Sequence, residues 1–146
     1  MIQEWSYNPN NVETWMHAEQ QQLQVVQFWK RVKTNKPVAL KMLPIVNQVG
    51  DYLWRVEESP DQALALLKEV ADVAKGFNAS SKLLSAIYSN LADVYQFKGN
   101  NKLCMAYRAQ SAQQHIKPLC IEIKKVLLVD KPKRIQELVQ VSSRAC

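Results

Sequence analysis

The chain has 146 residues, a formal net charge of +6 and only three glycines, Gly50, Gly76 and Gly99. A chain of this length builds one domain with a full core, and so few glycines leave a sheet short of the tight turns it needs. A strand-rich fold is therefore excluded in favour of a few long elements. The three cysteines, Cys104, Cys120 and Cys146, form no CxxC pair. Their odd number argues against a disulfide framework and against a zinc site. No two glycines lie close together, so the chain lacks a glycine-rich phosphate loop, and no cofactor is expected.

The first residues, MIQEWSYNPN, contain neither a basic start nor an apolar run, so no secretory signal is expected. No stretch approaches the roughly 20 apolar residues of a membrane span. These features read as a cytoplasmic protein. Charge is distributed in blocks. Residues 1–29 carry acids but no Lys or Arg, residues 30–41 carry five bases and no acid, and 51–75 are net acidic. Such blocks build separate patches.

In chain order, residues 1–10 read as an irregular arm, because Asn8, Pro9 and Asn10 favour turns, with Trp5 and Tyr7 as anchors. A first helix fits 11–34, capped by Asn10 or Asn11, with Glu13 in its first turn and Lys30, Arg31 and Lys33 at its end, as the helix dipole favours. A second fits 37–58, with a kink or short break at Pro44. Ser59, Pro60 and Gln62 predict a capping box for a third helix that runs to Lys75 and stops at Gly76. A fourth fits 79–98, because Leu84, Ile87, Tyr88, Leu91, Val94 and Tyr95 keep helical spacing. Gly99 ends it. A fifth fits 100–117 and stops at Pro118. Residues 119–129 fit helix or strand, and helix is preferred because a lone strand has no partner. A last helix fits 131–143. The chain is thus one all-α domain, residues 1–146, of five to seven helices. Antiparallel hairpins pack as a bundle or a short array.

Tyr88, Leu91, Ala92, Tyr95 and Gly99 follow the order bulky, bulky, small, bulky, turn. This stretch resembles the first helix of a tetratricopeptide repeat. In the following helix Cys104 and Ser111 fall where that family has small residues, whereas Arg108 falls where it has an aromatic. Val46, Val49, Gly50 and Leu53 repeat the first-helix spacing upstream, and Ala63 and Leu67 follow one residue late. Gly50 and Ala92 are 42 residues apart, where the family repeats every 34. The resemblance covers residues 46–112 and implies binding of a peptide, helix or partner subunit in a groove. Tyr88, Tyr95, Tyr107, Arg108 and Trp29 are the expected groove residues.

Two further readings compete. The basic run Lys30, Arg31, Lys33, Lys36 and Lys41, with Lys124, Lys125, Lys131, Lys133 and Arg134, is suited to nucleic-acid phosphates, and Trp29 beside the first run to base stacking. Arg108 and His115 share a helix face, and their spacing resembles the Arg-x4–6-His motif of the all-α HEPN ribonucleases. That resemblance implies phosphate stabilisation by Arg108 and proton transfer by His115, although Ala109 stands where the family has a polar residue. The preferred expectation is a non-catalytic adaptor, chaperone or assembly factor with a protein or peptide partner.

Overall fold

The computed structural model describes residues 5–127. Among them are five helices and no strand: α1 (Glu13–Val32), α2 (Lys36–Arg55), α3 (Pro60–Gly76), α4 (Ser81–Phe97) and α5 (Asn101–Leu127). The expected last helix over 131–143 lies outside the described residues. None of the helices is long and apolar enough to cross a membrane.

The helix boundaries follow local chemistry. Asn11 Oδ1 accepts the amide of Glu13 at the start of α1, Ser80 Oγ accepts that of Leu83 at the start of α4, and Asn100 Oδ1 accepts that of Leu103 at the start of α5. Each satisfies a donor that the first turn leaves orphaned. Gly99 ends α4 in the left-handed region, at φ 79°.

Three expectations are corrected. The capping box at Ser59 does not form. Glu58 takes a left-handed φ of 51°, and the Ser59 hydroxyl turns back to the carbonyl of Glu57 at 3.2 Å. Pro60 does open α3 as expected. Pro44 does not break α2, and Pro118 does not end α5. Each proline removes one helical hydrogen bond, but both occupy exposed positions, the setting in which water can satisfy the freed carbonyl. Residues 119–127, ambiguous in sequence, therefore continue α5.

Each helix packs on the next, and α2 also packs on α4. The result is two stacked hairpins, α2–α3 and α4–α5, preceded by α1. The core runs between them through Trp29, Met42, Val46, Val49, Leu67, Val70, Ile87, Leu91 and Val94. A smaller cluster of Tyr7, Ala18 and Tyr52 seals the side where the arm meets α1 and α2. Ala92 is fully buried. Gly50 marks a close approach of α2 and α3, since a Cβ built there meets Leu67 Cδ2 at 2.4 Å and Cγ at 2.6 Å. Leu67 is itself fully buried, so it has nowhere to retreat.

This contact distinguishes two glycines. Gly50→Ala gains roughly 1 kcal/mol of helix propensity but overpacks, which costs about 1–3 kcal/mol. A net loss is expected. At Gly76 nothing lies within 4 Å of an added Cβ, so Gly76→Ala should stabilise by about 0.4–1 kcal/mol. Urea midpoints of the two variants should move in opposite directions.

Candidate functional site

The contact between α2 and α4 leaves a groove along one side of the molecule. Its upper cleft, about 340 Å³, is lined by Asn47, Gln48 and Asp51 of α2 and by Ala86, Ser89, Asn90 and Asp93 of α4, with Tyr7 and Pro9 of the arm. A second cleft, also about 340 Å³, is lined by Trp54, Arg55, Asp93, Gln96 and Phe97. Asp93 belongs to both, so the two form one surface. The α2 positions 47, 48, 51, 54 and 55 each have a counterpart on α4, 42 positions later, at 89, 90, 93, 96 and 97. The 42-residue offset that relates Gly50 to Ala92 therefore sets the same face of both helices side by side.

Asn90 holds the two helices in this relation. Its side-chain nitrogen donates to the carbonyl of Asn47 at 3.0 Å and to Asn47 Oδ1 at 3.2 Å, and its oxygen accepts from Trp54 Nε1 at 3.2 Å. The charges are also matched across the groove. Arg55 Nε donates to Asp51 Oδ1 at 2.6 Å, and its Nη2 lies 3.7 Å from Asp93 Oδ2. Arg108 of α5 donates to Asp93 Oδ1 at 2.6 Å and to Gln96 at 3.2 Å. Burial works against the Arg55 cation, yet the hydrogen bond and charge of Asp51, with the charge of Asp93, outweigh it and hold its pKa above the ordinary value. The hydrogen bond that Arg108 donates to Asp93 likewise raises the pKa of Arg108. Two acids and two arginines thus leave the groove close to neutral.

At its lower end the groove becomes aromatic. The Trp54 and Phe97 rings lie 5.7 Å apart, and the Arg55 guanidinium sits 4.4 Å over the Trp54 ring. Phe97 is 56% exposed. Arg together with Trp and other aromatic side chains around a pocket is the composition of binding hot spots.

Of the expected groove residues, Tyr88 and Tyr107 line a separate cleft of about 250 Å³ with Lys68, Ala71, Asp72, Lys75 and Gln110. Trp29 is fully buried, with its Nε1 donating to Glu69 at 2.8 Å. Tyr88 and Tyr95 are core residues. Tyr107 is half-buried and stacks on Tyr95 at 5.6 Å. Lys68 and Lys75 of α3 cap the Tyr95 and Tyr88 rings. Helical spacing alone does not distinguish a ring that fills a groove from one that fills the core, and here the interior claims Trp29, Tyr88 and Tyr95. Of the five, Arg108 reaches the α2–α4 face, through Asp93.

His115 and Arg108 engage different partners on α4. His115 Nε2 lies 2.8 Å from Ser85 Oγ, which also lies 2.9 Å from Ser111 Oγ. Ser111 Oγ donates back to the Ser85 carbonyl at 3.0 Å. A Ser–His bond is one element of nucleophile activation. Ser85, however, is only 3% exposed within α4, and the arrangement serves as a polar clasp where α4 crosses α5. Of the basic run, Lys33 pairs with Glu69 at 3.1 Å, whereas Lys30, Arg31, Lys36 and Lys41 are exposed. Lys125 pairs with Glu122 at 3.6 Å and Lys124 is half-buried. Lys131, Lys133 and Arg134 lie outside the described residues.

No family model, curated protein or solved structure matches the chain.

The arm confers an alkaline sensitivity. Tyr7 Oη donates to Asp51 Oδ2 at 2.8 Å. Burial, then the Asp51 hydrogen bond and charge, push the Tyr7 phenol well above its ordinary value of 10.0. Burial and Glu57 do the same for Tyr52. Both folded phenols hold their protons more tightly than unfolded ones. Their stabilisation is complete below about pH 10 and is lost as pH rises through the folded values. Denaturant titrations should show stability falling above pH 10, and Tyr7→Phe should make that fall shallower.

Proposed function

We propose that the chain is a non-catalytic interaction module, acting as an adaptor, chaperone or assembly factor, and that its partner docks on the α2–α4 groove. The observation that carries this reading is the exposed Phe97 ring beside Trp54 and Arg55, opening directly into a polar cleft whose Asp and Arg side chains are already paired. An apolar anchor with a satisfied polar margin suits a partner segment that places one bulky side chain in the aromatic cleft and hydrogen-bonding groups along the rest. The tetratricopeptide-like spacing of residues 46–112 supports the same reading, with the groove lined by the first helix of each hairpin.

Phe97→Ala should leave the melting temperature nearly unchanged, because the ring is mostly exposed. It should weaken partner binding by about 1–2 kcal/mol, roughly five- to thirtyfold. The check is affinity capture from native extract, comparing wild type with Phe97→Ala after nuclease treatment and a high-salt wash. Proteins retained by the wild type and lost by the variant support the reading. Identical retention by both removes the aromatic cleft from it.

A nucleic-acid reading has one observation in its favour. Lys30, Arg31, Lys36 and Lys41 are exposed, and no ion pair among the described residues engages them. If they contact phosphates, each contact contributes about −0.9 to the slope of log affinity against log salt on duplex DNA. Replacing Lys30, Arg31 and Lys36 with Ala should then flatten that slope by close to 3. Binding that is weak and unaltered by the triple substitution would set this reading aside.

A further inference from the structure

The groove already carries a peptide, the chain's own arm. Trp5 Nε1 donates to Gln48 Oε1 at 2.7 Å, Tyr7 Oη donates to Asp51 Oδ2 at 2.8 Å, and Pro9 forms part of the upper cleft wall. The two acceptors, Gln48 and Asp51, follow one another on α2, about 4.5 Å apart along its axis, and the two donors are two residues apart in the arm. The Trp5 and Tyr7 ring centroids are 6.1 Å apart. The Tyr7 ring is 6% exposed and meets Tyr52 edge-on at 5.6 Å.

The attachments of the arm are reversible in kind. Among the described residues, no backbone–backbone hydrogen bond joins residues 5–9 to α2. If the arm leaves, Gln48 is exposed and water can take its place on the amide. Asp51 keeps Arg55 on its other oxygen, so no carboxylate is left without a partner. The main loss is the packing of the Tyr7 and Trp5 rings against Tyr52 and Ala18, and an incoming segment with two aromatic side chains of its own restores it.

We infer that the α2–α4 face recognises segments of the type Trp-x-Tyr-x-Pro, and that the arm is its resident, exchangeable occupant. A partner of this chemistry displaces the arm by presenting an indole and a phenol two residues apart, followed by proline. The arm thereby sets a threshold, because a linked segment competes at a high effective concentration. This inference rests on the reading of the groove as a binding surface.

The test uses the full chain and a labelled synthetic peptide of residues 3–10, QEWSYNPN, followed by fluorescence anisotropy. In the double variant Trp5→Ala/Tyr7→Ala the resident side chains are gone and the site is free. The peptide should bind this variant at least tenfold more tightly than it binds the wild type, and adding Gln48→Ala should weaken that binding several-fold. Equal affinity for both chains, or no saturable binding to a double variant with native circular dichroism, would overturn the inference. Tighter binding to the wild type would also overturn it, because the arm would then be a fixed wall of the site. If the double variant fails to fold, Trp5→Ala alone decides by the same comparison, with at least a threefold gain expected and no gain counting against. Retention of partners through Phe97 is read separately, so the groove as an interaction surface can stand even if the arm proves to be fixed.

Discussion

The second helix has to serve three neighbours at once, and most of the molecule follows from how it does so. It packs on α1, α3 and α4, and a helix of ordinary side chains has too little room to meet all three closely. Gly50 resolves the conflict on the α3 side by letting Leu67 into the space a Cβ would fill. On the α4 side a polar contact takes over, as Asn90 reaches across to Asn47 and Trp54. A buried amide left without these partners would cost about 1–3 kcal/mol, so the bond specifies register as well as adding stability. Because α3 and the core occupy much of α2, its remaining surface beyond Val46 is the strip at 47, 48, 51, 54 and 55. That strip is the groove.

Electrostatics reinforce this division. Asp51 holds Arg55 within α2, and Asp93 draws both Arg55 and Arg108 across helix boundaries, so that the two arginines connect α2, α4 and α5 along one surface. These groups are substantially exposed, and each pair is worth little by itself. Their main effect is to fix side-chain directions and to leave the groove without net charge. The chain as a whole is basic, and one concentration of unpaired positive charge lies away from the groove, at Lys30, Arg31, Lys36 and Lys41. The neutral groove and the basic patch are thus chemically distinct surfaces. One suits a hydrogen-bonding partner with an apolar anchor and the other an anion.

The all-helical fold was legible in the sequence because apolar spacing, scarce glycine and turn residues all favoured it. Three details were not. Pro44 and Pro118 read as breaks, since proline removes a donor, but sequence does not reveal that a position faces water, where the missing bond is tolerated. Ser59 carried the right neighbours for a capping box, yet the left-handed turn at Glu58 directs its hydroxyl elsewhere. Trp29, Tyr88 and Tyr95 looked like groove residues because rings at helical spacing fit either a core or a cleft, and burial decides between them only once α3 and α5 are in place. The groove itself left a signal in the 42-residue separation of Gly50 and Ala92. Extended to the polar positions on the same helices, that offset pairs Asp51 with Asp93 and Gln48 with Asn90, and so marks the face before any coordinate is known.

The arm shows why such a face is seldom left bare. Side-by-side helices present alternating amides, carboxylates and rings with no neighbour of their own, and water satisfies the polar groups but not the aromatic ones. Tyr7 and Trp5 meet both needs, each placing a ring on an apolar strip and one donor on an acceptor of α2. The same two-part chemistry is absent at the lower end of the groove. There Phe97 and Trp54 have each other and Arg55, but none of the described arm residues lines their cleft. A surface whose upper half is covered by its own chain and whose lower half is open among the described residues provides a partner with a ready anchor point at Phe97. From there it can advance toward Asp51 by replacing, one ring at a time, contacts that already exist.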